Sequence, residues 1–226
     1  MPRGESVVAP RSRCPGCGSQ IAAYDNVPVA SWLALRGRSR CCREAISARY
    51  PLTEVALAAL FVAVAIRFHG DPAELALGLV FVSMLLAITL TDLERRIIPN
   101  RVLAVASAIA FAIVAVSDPA SLPERIAAAA GAGGVLFVAA LAYPGGMGLG
   151  DVKLAAAMGL FLGVEVVPAM LIALLAGSLV GVTMIVRHGA AARKRAIPFG
   201  PFLAFGGVAA LFAGQALIDL YLSAFA

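Results

Sequence analysis

Long apolar runs separated by short polar stretches make up most of the chain after residue 51. Seven of them follow one another, at about 52–67, 73–91, 102–117, 126–142, 152–163, 166–186 and 199–222. Most approach the ~20 residues that a helix needs to cross a bilayer, whereas the fifth is short and would span only with help from its neighbours. The pattern predicts an all-α polytopic membrane protein with a seven-helix bundle.

The first 51 residues have a different character, because they are polar and basic and contain all four cysteines of the chain. They lack the apolar run that a secretory signal peptide requires. We therefore expect two domains: a small N-terminal cytoplasmic head at 1–51, which contains the cysteines, and a transmembrane bundle at 52–226.

The composition agrees with a membrane protein, since 61% of the residues are hydrophobic and only 14% are charged. A soluble domain carries roughly a quarter charged residues. If the head is cytoplasmic and the helices alternate, the inner segments are 1–51, 92–101, 143–153 and 187–198. These segments hold sixteen of the eighteen Lys and Arg residues, and only Arg67 and Arg125 fall outside. This positive-inside bias predicts a cytoplasmic N-terminus and an external C-terminus. The net charge of +5 thus reflects topology and gives no case for nucleic-acid binding.

Two acids fall at the same face of the membrane once the spans are counted. Asp92 ends the second run, and Asp151 follows the glycine-rich stretch GGMGLG two crossings later. Two carboxylates ~4 Å apart repel by about 4 kcal/mol at an effective dielectric constant near 20, enough to leave one proton shared between them. The ionised acid would take a proton from water while the protonated acid polarises a peptide carbonyl, as in aspartic proteases.

Other interpretations of the two acids remain open at this point. Asp151 is also a favourable N-terminal residue for its helix. Asp92 could belong to an interfacial cluster with Glu94 and the two arginines that follow it, with Pro99 starting the next helix. A small ion or proton-coupled transporter would also use acids at a broken helix, although its acids should lie near the midplane within an inverted repeat.

Several motifs resemble those of a known family. DLERRIIPN at 92–100 and GMGLGDVK at 146–153 resemble the two signature motifs of the bacterial type IV prepilin peptidases, polytopic aspartic proteases of the Gly-x-Gly-Asp type. The head resembles the same family in CPGCG at 14–18, YDNVPVASWLALRGRSR at 24–40 and ISARYPLTE at 46–54. The resemblance runs from about residue 14 to 200, and it is weak around Pro198–Pro201, which opens the last helix.

The resemblance implies an activity and its residues. Asp92 and Asp151 would be the catalytic pair, with Gly148, Gly150, Lys153 and Pro99 in the supporting loop. The substrates would be type IV prepilins or pseudopilins, cut after a glycine that follows their basic leader, at the cytoplasmic side of the bacterial inner membrane. Members with a cysteine head also methylate the new N-terminus with S-adenosylmethionine, but no residue pattern here independently indicates a methyl-donor site.

The resemblance also carries an expectation about the start of the chain and an alternative function. Family members with this head usually have a further membrane helix before it, so we expect either that this helix is lost or that translation starts upstream of residue 1. A catalytically silent assembly factor with a zinc docking head is a third interpretation, against which the intact acid pair argues.

The cysteines point to a metal site in the head. Disulfides are disfavoured in the reducing cytoplasm, and Cys14 and Cys17 in CPGCG form half of a zinc knuckle. By resemblance, the second pair would fall at Ser39 and Cys42, with Cys41 between them. We predict Zn²⁺ bound through Cys14, Cys17, Cys41 and Cys42; the alternative is a degenerate site held together by packing of Trp32, Leu33 and Leu35.

Overall fold

The computed structural model describes residues 13–143, 147–189 and 198–225. Its α-helices are α1 (Ala30–Ala34), α2 (Arg49–Phe68), α3 (Pro72–Arg95), α4 (Asn100–Ser117), α5 (Leu122–Ala142), α6 (Leu149–Leu162), α7 (Val166–His188) and α8 (Gly200–Phe225). The described residues contain no strand beyond two isolated bridges. Helices α2 to α8 correspond to the seven predicted apolar runs, so the all-α membrane bundle is confirmed.

The described chain contains six apolar stretches long enough to cross a membrane, because Leu149–Arg187 forms one stretch of 39 residues. That stretch is two helices, α6 and α7, separated by the 3-10 turn Gly163–Glu165. Gly163 has a φ of +58°, a conformation that glycine adopts without a steric penalty. The prediction of a separate, short fifth helix is therefore confirmed.

Close contacts at glycine residues order the helices into antiparallel pairs. In the pair α5–α6, Gly133 lies against Ala156 and Gly159 lies against the backbone of Ala129. In the pair α7–α8, Gly177 lies against Phe199, and Gly206 lies against Ala169. Small residues let helix backbones approach closely where burial from water supplies no driving force. The 39-residue stretch thus contributes one helix to each pair.

The short helix α6 is fixed at its carboxyl end by Arg125 of α5. The Arg125 guanidinium donates hydrogen bonds to the carbonyl oxygen of Phe161 and, at 3.0 Å, to Oε1 of Glu74 on α3. A cation at this position satisfies helix-end carbonyls that have no partner within the helix and complements the helix dipole. Helices α3 and α5 thus support α6, the short helix that was predicted to span the membrane only with help from its neighbours.

Two compact units divide after Leu60. The second unit contains the bundle core, with side chains that are at most 1% exposed, including Phe81, Leu85, Ile88, Leu154, Met158 and Leu203. Many large apolar side chains on α3 to α8 are instead exposed, as expected for helices whose outer surface faces lipid. The first unit contains the cysteine turns, and there the Glu54 carboxylate accepts a 2.7 Å hydrogen bond from the Val29 amide.

The contact between α5 and α6 yields a stability prediction. A Cβ added at Gly159 would lie 2.5 Å from the Cα and the amide nitrogen of Ala129, both of which are backbone atoms. We expect Gly159→Ala to lower the free energy of unfolding by about 1–3 kcal/mol, because two helices must separate. Chemical denaturation in detergent measures this change. Gly134→Ala is the matched control, since a Cβ there meets nothing within 4 Å; equal stabilities of the two variants would contradict the packing.

Candidate active site and cysteine cluster

Asp92 lies in the last turn of α3 and is only 5% exposed, the one buried charged side chain among the described residues. The helix ends because Arg96 adopts a left-handed conformation, with its amide bonded to the Asp92 carbonyl oxygen at 2.8 Å. The chain then turns, and α4 begins at Asn100 with Pro99 as its N-cap residue. Pro99, predicted to start this helix, stands one residue before it.

The Asp92 carboxylate contacts the beginning of α8. Its Oδ2 accepts a 3.0 Å hydrogen bond from the backbone N–H of Gly200, the first residue of that helix. The first amides of a helix have no partner within the helix, so the carboxylate satisfies one of them. Gly200 was not among the predicted site residues. The only signal for it was a glycine at the inner end of the last apolar run.

Asp151 is the third residue of α6, and Gly148 is the N-cap of that helix. The Asp151 carboxyl group turns back toward Gly148, with Oδ2 3.6 Å from the position that a Cβ on Gly148 would take. A residue of this type at this position supports the helix start, as in a capping box. The capping interpretation of Asp151 and its proximity to Asp92 are thus compatible. Gly145 and Gly146, at the start of the glycine-rich stretch, lie outside the described residues.

The structure brings the two predicted acids together at one end of the bundle. Helices α3 and α6 are in contact, with Asp92 in the last turn of α3 and Asp151 in the first turn of α6. Gly150 lies against Ile98 of the segment after α3, where a Cβ on Gly150 would be 3.1 Å from the Ile98 Cβ. The predicted glycine therefore permits a close approach between the two segments that carry the acids.

Lys153 points away from the acid pair. It lies two residues after Asp151, or about 200° around the helix, and its Nζ donates a 3.1 Å hydrogen bond to Oδ1 of Asn100 on α4. Both residues line the end of an apolar groove of about 580 Å³ along α4, α5 and α6. The hydrogen bond of Lys153 joins α6 to α4, and it does not bring the Lys153 charge beside the carboxylates of Asp92 and Asp151.

The four cysteines converge in the head. Their sulfur atoms all lie within 4.8 Å of one another, with Cys14 and Cys42 at 3.5 Å and Cys17 and Cys41 at 3.1 Å. Disulfide sulfurs are about 2.0 Å apart, so all four are free thiols. Four thiolates at about 2.3 Å around a tetrahedral Zn²⁺ lie about 3.8 Å from each other. The sulfur positions therefore fit such an ion with only small adjustments.

The two cysteine turns share one backbone pattern. In the first turn, the Cys14 amide bonds to Ser19 and the Gly18 amide to the Cys14 carbonyl, at 2.9 and 2.8 Å. In the second turn, Ser39 and Arg43 take the places of Cys14 and Gly18, with the corresponding bonds at 2.8 and 3.1 Å. Gly18 and Arg43 both have a positive φ, of 70° and 61°.

Superposing the two turns explains the irregular spacing of the cysteines. Cys42 occupies the position of Cys17, whereas Cys41 occupies the position of Gly16 in the first turn. Ser39 Oγ stands where a thiol would be expected, 3.2 Å from the Cys42 sulfur, and accepts a hydrogen bond from the Glu44 amide. The fourth sulfur thus comes from a different residue of the same turn.

The protonation of the thiols follows from their neighbours. Hydrogen bonds with the Ser19 hydroxyl and then with the Cys41 thiol lower the pKa of Cys17 to about 6. The hydrogen bond with Cys17 raises the pKa of Cys41 to about 12, so this thiol keeps its proton near neutral pH. A bound metal ion replaces such protons when all ligands become thiolates.

The alternative of a head held by packing alone has limited support. The Trp32 indole N–H bonds to the Ile46 carbonyl at 3.0 Å, and its ring lies against Gly37. Leu33, however, is 62% exposed, and Cys14 is the one buried hydrophobic residue among the described residues before α2. A unit with so small a core usually needs a cross-link or a metal ion.

Comparison with known proteins gives matches over nearly the whole chain. The family model described as the bacterial peptidase A24 N-terminal domain matches residues 1–68, and the model of the type IV leader peptidase family matches residues 79–186. No solved structure gives a significant match.

Three relatives share the name prepilin leader peptidase/N-methyltransferase. The protein from Bacillus subtilis (strain 168) is 35% identical, over 98% of this chain and 89% of the relative. The protein from Burkholderia pseudomallei (strain 1026b) is 39% identical, over 95% of this chain and 71% of the relative. The protein from Aeromonas hydrophila is 36% identical, over 97% of this chain and 77% of the relative.

Proposed function

The chain belongs to the type IV leader peptidase family, and from this premise we propose that it is an intramembrane aspartic endopeptidase that acts on type IV prepilins or pseudopilins. It cuts after the glycine that follows the basic leader, at the cytoplasmic face of the bacterial inner membrane. The observation that carries this proposal is the contact between α3, with Asp92 in its last turn, and α6, with Asp151 in its first turn.

The two acids would divide the work of hydrolysis. Two neighbouring carboxyl groups hold one proton between them, because both cannot ionise at close range. The ionised group removes a proton from water, whose oxygen attacks the scissile carbonyl carbon, while the other group donates its proton to the carbonyl oxygen. When the C–N bond breaks, the amine takes up a proton and leaves. Such paired groups titrate as a unit, so the two roles belong to the pair.

The start of α6 provides a place for the substrate chain. Gly148 has an extended backbone, with φ −81° and ψ 143°, immediately before the helix that carries Asp151. Irregular backbone at membrane depth is tolerated where it lines a cavity, and an extended peptide binds well beside extended backbone. The residues Gly148, Gly150 and Pro99 would shape this site, whereas Lys153 would act by joining α6 to α4.

The proposed orientation of the protein rests on the distribution of positive charges along the sequence. Asp151 lies near the first residue of α6 and Arg125 contacts the last turn of the same helix, so the two groups lie at opposite ends of α6. Sixteen of the eighteen Lys and Arg residues fall in the segments 1–51, 92–101, 143–153 and 187–198. By the positive-inside rule these segments, together with the acid pair, would lie at the cytoplasmic face, and the N-terminus would be inside. This position suits a substrate with a basic cytoplasmic leader and an apolar membrane segment. An ion-coupled transporter would place its acids near the midplane.

The head would hold a structural metal ion. Cys14, Cys17, Cys41 and Cys42 would bind Zn²⁺ with four thiolates and no open position, an arrangement typical of structural sites. The ion would cross-link the two turns of a unit that has little hydrophobic core. Methylation of the new N-terminus with S-adenosylmethionine is proposed only from the relatives' names, because the described residues form no recognisable site for the methyl donor.

Mass spectrometry of a prepilin tests both activities. The purified protein in lipid vesicles, incubated with a prepilin and S-adenosylmethionine, should release the leader and add one methyl group to the new N-terminus. The matched control is the same prepilin with leucine in place of the glycine before the cut, which should stay intact. An uncut glycine-containing prepilin would refute the peptidase, and cleavage without added methyl mass would refute methylation alone.

A further inference from the structure

The beginning of α8 is built against the carboxylate of Asp92. Gly200 and Asp92 are 108 positions apart in the chain, yet the Gly200 amide is 3.0 Å from Oδ2 of Asp92. The first turn of a helix carries a partial positive charge, which complements a carboxylate. Gly200 lies in neither of the two sequence motifs that contain Asp92 and Asp151.

A side chain of any size at position 200 would collide with Asp92. A Cβ there would lie 2.7 Å from Oδ2 and 3.2 Å from Cγ of the carboxyl group. Contacts below 3.0 Å do not occur without displacement of one partner, so another residue would move either the helix or the carboxylate. The glycine at position 200 therefore allows the start of α8 to lie close to the Asp92 carboxylate. A helix start does not otherwise favour glycine over other residues.

The helix has little freedom to retreat from such a collision. Phe199 packs on Gly177 of α7, and two further glycines of α8 contact neighbouring helices: Gly206 touches the Ala169 carbonyl and Gly207 the Met158 side chain. Leu203, one turn after Gly200, is fully buried. The carboxylate, rather than the helix, would have to move.

We propose that Gly200 is a positioning residue for the hydrolysis proposed above, on which this inference rests. Its amide holds one oxygen of Asp92 in a fixed place, and its missing Cβ leaves room for the carboxyl group. The other oxygen is then directed to the proton shared with Asp151 and to the attacking water. Donors fixed before the reaction cost no reorganisation when it occurs, and a misplacement of about 1 Å lowers a rate by about a hundredfold.

Three glycine substitutions test the proposal in the prepilin cleavage assay. Gly200→Ala should lower kcat per folded molecule by about tenfold to a hundredfold and leave KM unchanged, because the substrate still binds. Gly214→Ala is the structural control, since its Cβ would lie 2.9 Å from the Cβ of Glu165, far along α8 from Gly200. It should lower thermal stability and keep the wild-type kcat per folded molecule. Gly181→Ala, whose Cβ meets nothing within 4 Å, should change neither quantity.

A second measurement keeps the test decisive if Gly200→Ala does not fold. In ¹⁵N-glycine-labelled protein, Asp92→Ala should shift the Gly200 amide resonance and speed its hydrogen exchange far more than Asp151→Ala does. An unchanged Gly200 amide, or a wild-type kcat in Gly200→Ala, would overturn the positioning role. If the wild-type protein itself leaves the prepilin uncut, the peptidase proposal fails instead, and the two failures are distinct.

Discussion

Asp92→Asn and Asp151→Asn should each abolish cleavage of a prepilin while the protein remains folded in the membrane. Asparagine keeps the size of the side chain and an oxygen that accepts the Gly200 hydrogen bond. It can neither take a proton from water nor share one with the second acid. We expect each variant to lower kcat by at least about 10³-fold, and the double variant to be no worse than either one, because the pair acts as a unit.

The measurement is single-turnover cleavage of a prepilin by detergent-purified variants, with thermal unfolding followed in parallel. Asp219→Asn serves as the control, because Asp219 is an exposed acid of α8 whose carboxylate bonds to Gln215 at 2.8 Å. It should cut at the wild-type rate. A rate within tenfold of wild type in either Asp92→Asn or Asp151→Asn would refute the two-acid mechanism.

The bundle could be predicted because its determinants are local. Each apolar run specifies one helix, and the number of crossings between Asp92 and Asp151 places both acids at one face without knowledge of packing. Even the short fifth run was correctly separated from the sixth, since the charged residue Glu165 lies between the two apolar runs. The sequence also showed that α6 needed help. It did not identify Arg125 as the residue that supplies it.

Contacts that depend on packing between distant segments could not be predicted. The hydrogen bond from Gly200 to Asp92 exists because α8 lies beside the end of α3, and no spacing rule relates residues 108 positions apart. The contact of Lys153 could not be predicted either. Lys153 shares a motif with Asp151, but its side chain bonds to Asn100 on α4. A motif shows which residues occur together, whereas the helix angle determines which of them face each other.

The cysteine head shows the same limit at short range. The sequence placed four cysteines in the head and identified Ser39 as the position where a thiol was expected. It did not show that the second turn repeats the hydrogen bonds of the first, with Arg43 at the positive φ of Gly18. Spacing alone therefore made Cys41 irregular, and the backbone pattern explains how its sulfur reaches the cluster.

Moving one thiol within the second turn should therefore preserve the metal site. Wild-type protein should bind about one Zn²⁺, and both Cys14→Ser and Cys41→Ser should lose more than half of it, because three thiolates bind the ion more weakly than four. The double variant Ser39→Cys with Cys41→Ser should recover binding, since position 39 matches Cys14 and its Oγ already lies 3.2 Å from the Cys42 sulfur. Unfolding temperatures should follow the zinc content.

Elemental analysis of the purified variants measures the stoichiometry, and the absorption spectrum of Co²⁺-substituted protein reports the number of thiolates. Wild-type protein with less than half an equivalent of zinc, unaltered by Cys14→Ser, would remove the metal site and leave packing around Trp32 as the support of the head. If Cys41→Ser loses zinc and the double variant does not regain it, the two turns are not equivalent. Recovery in the double variant would instead show that the backbone of the turn, and not the spacing of its cysteines, defines this site.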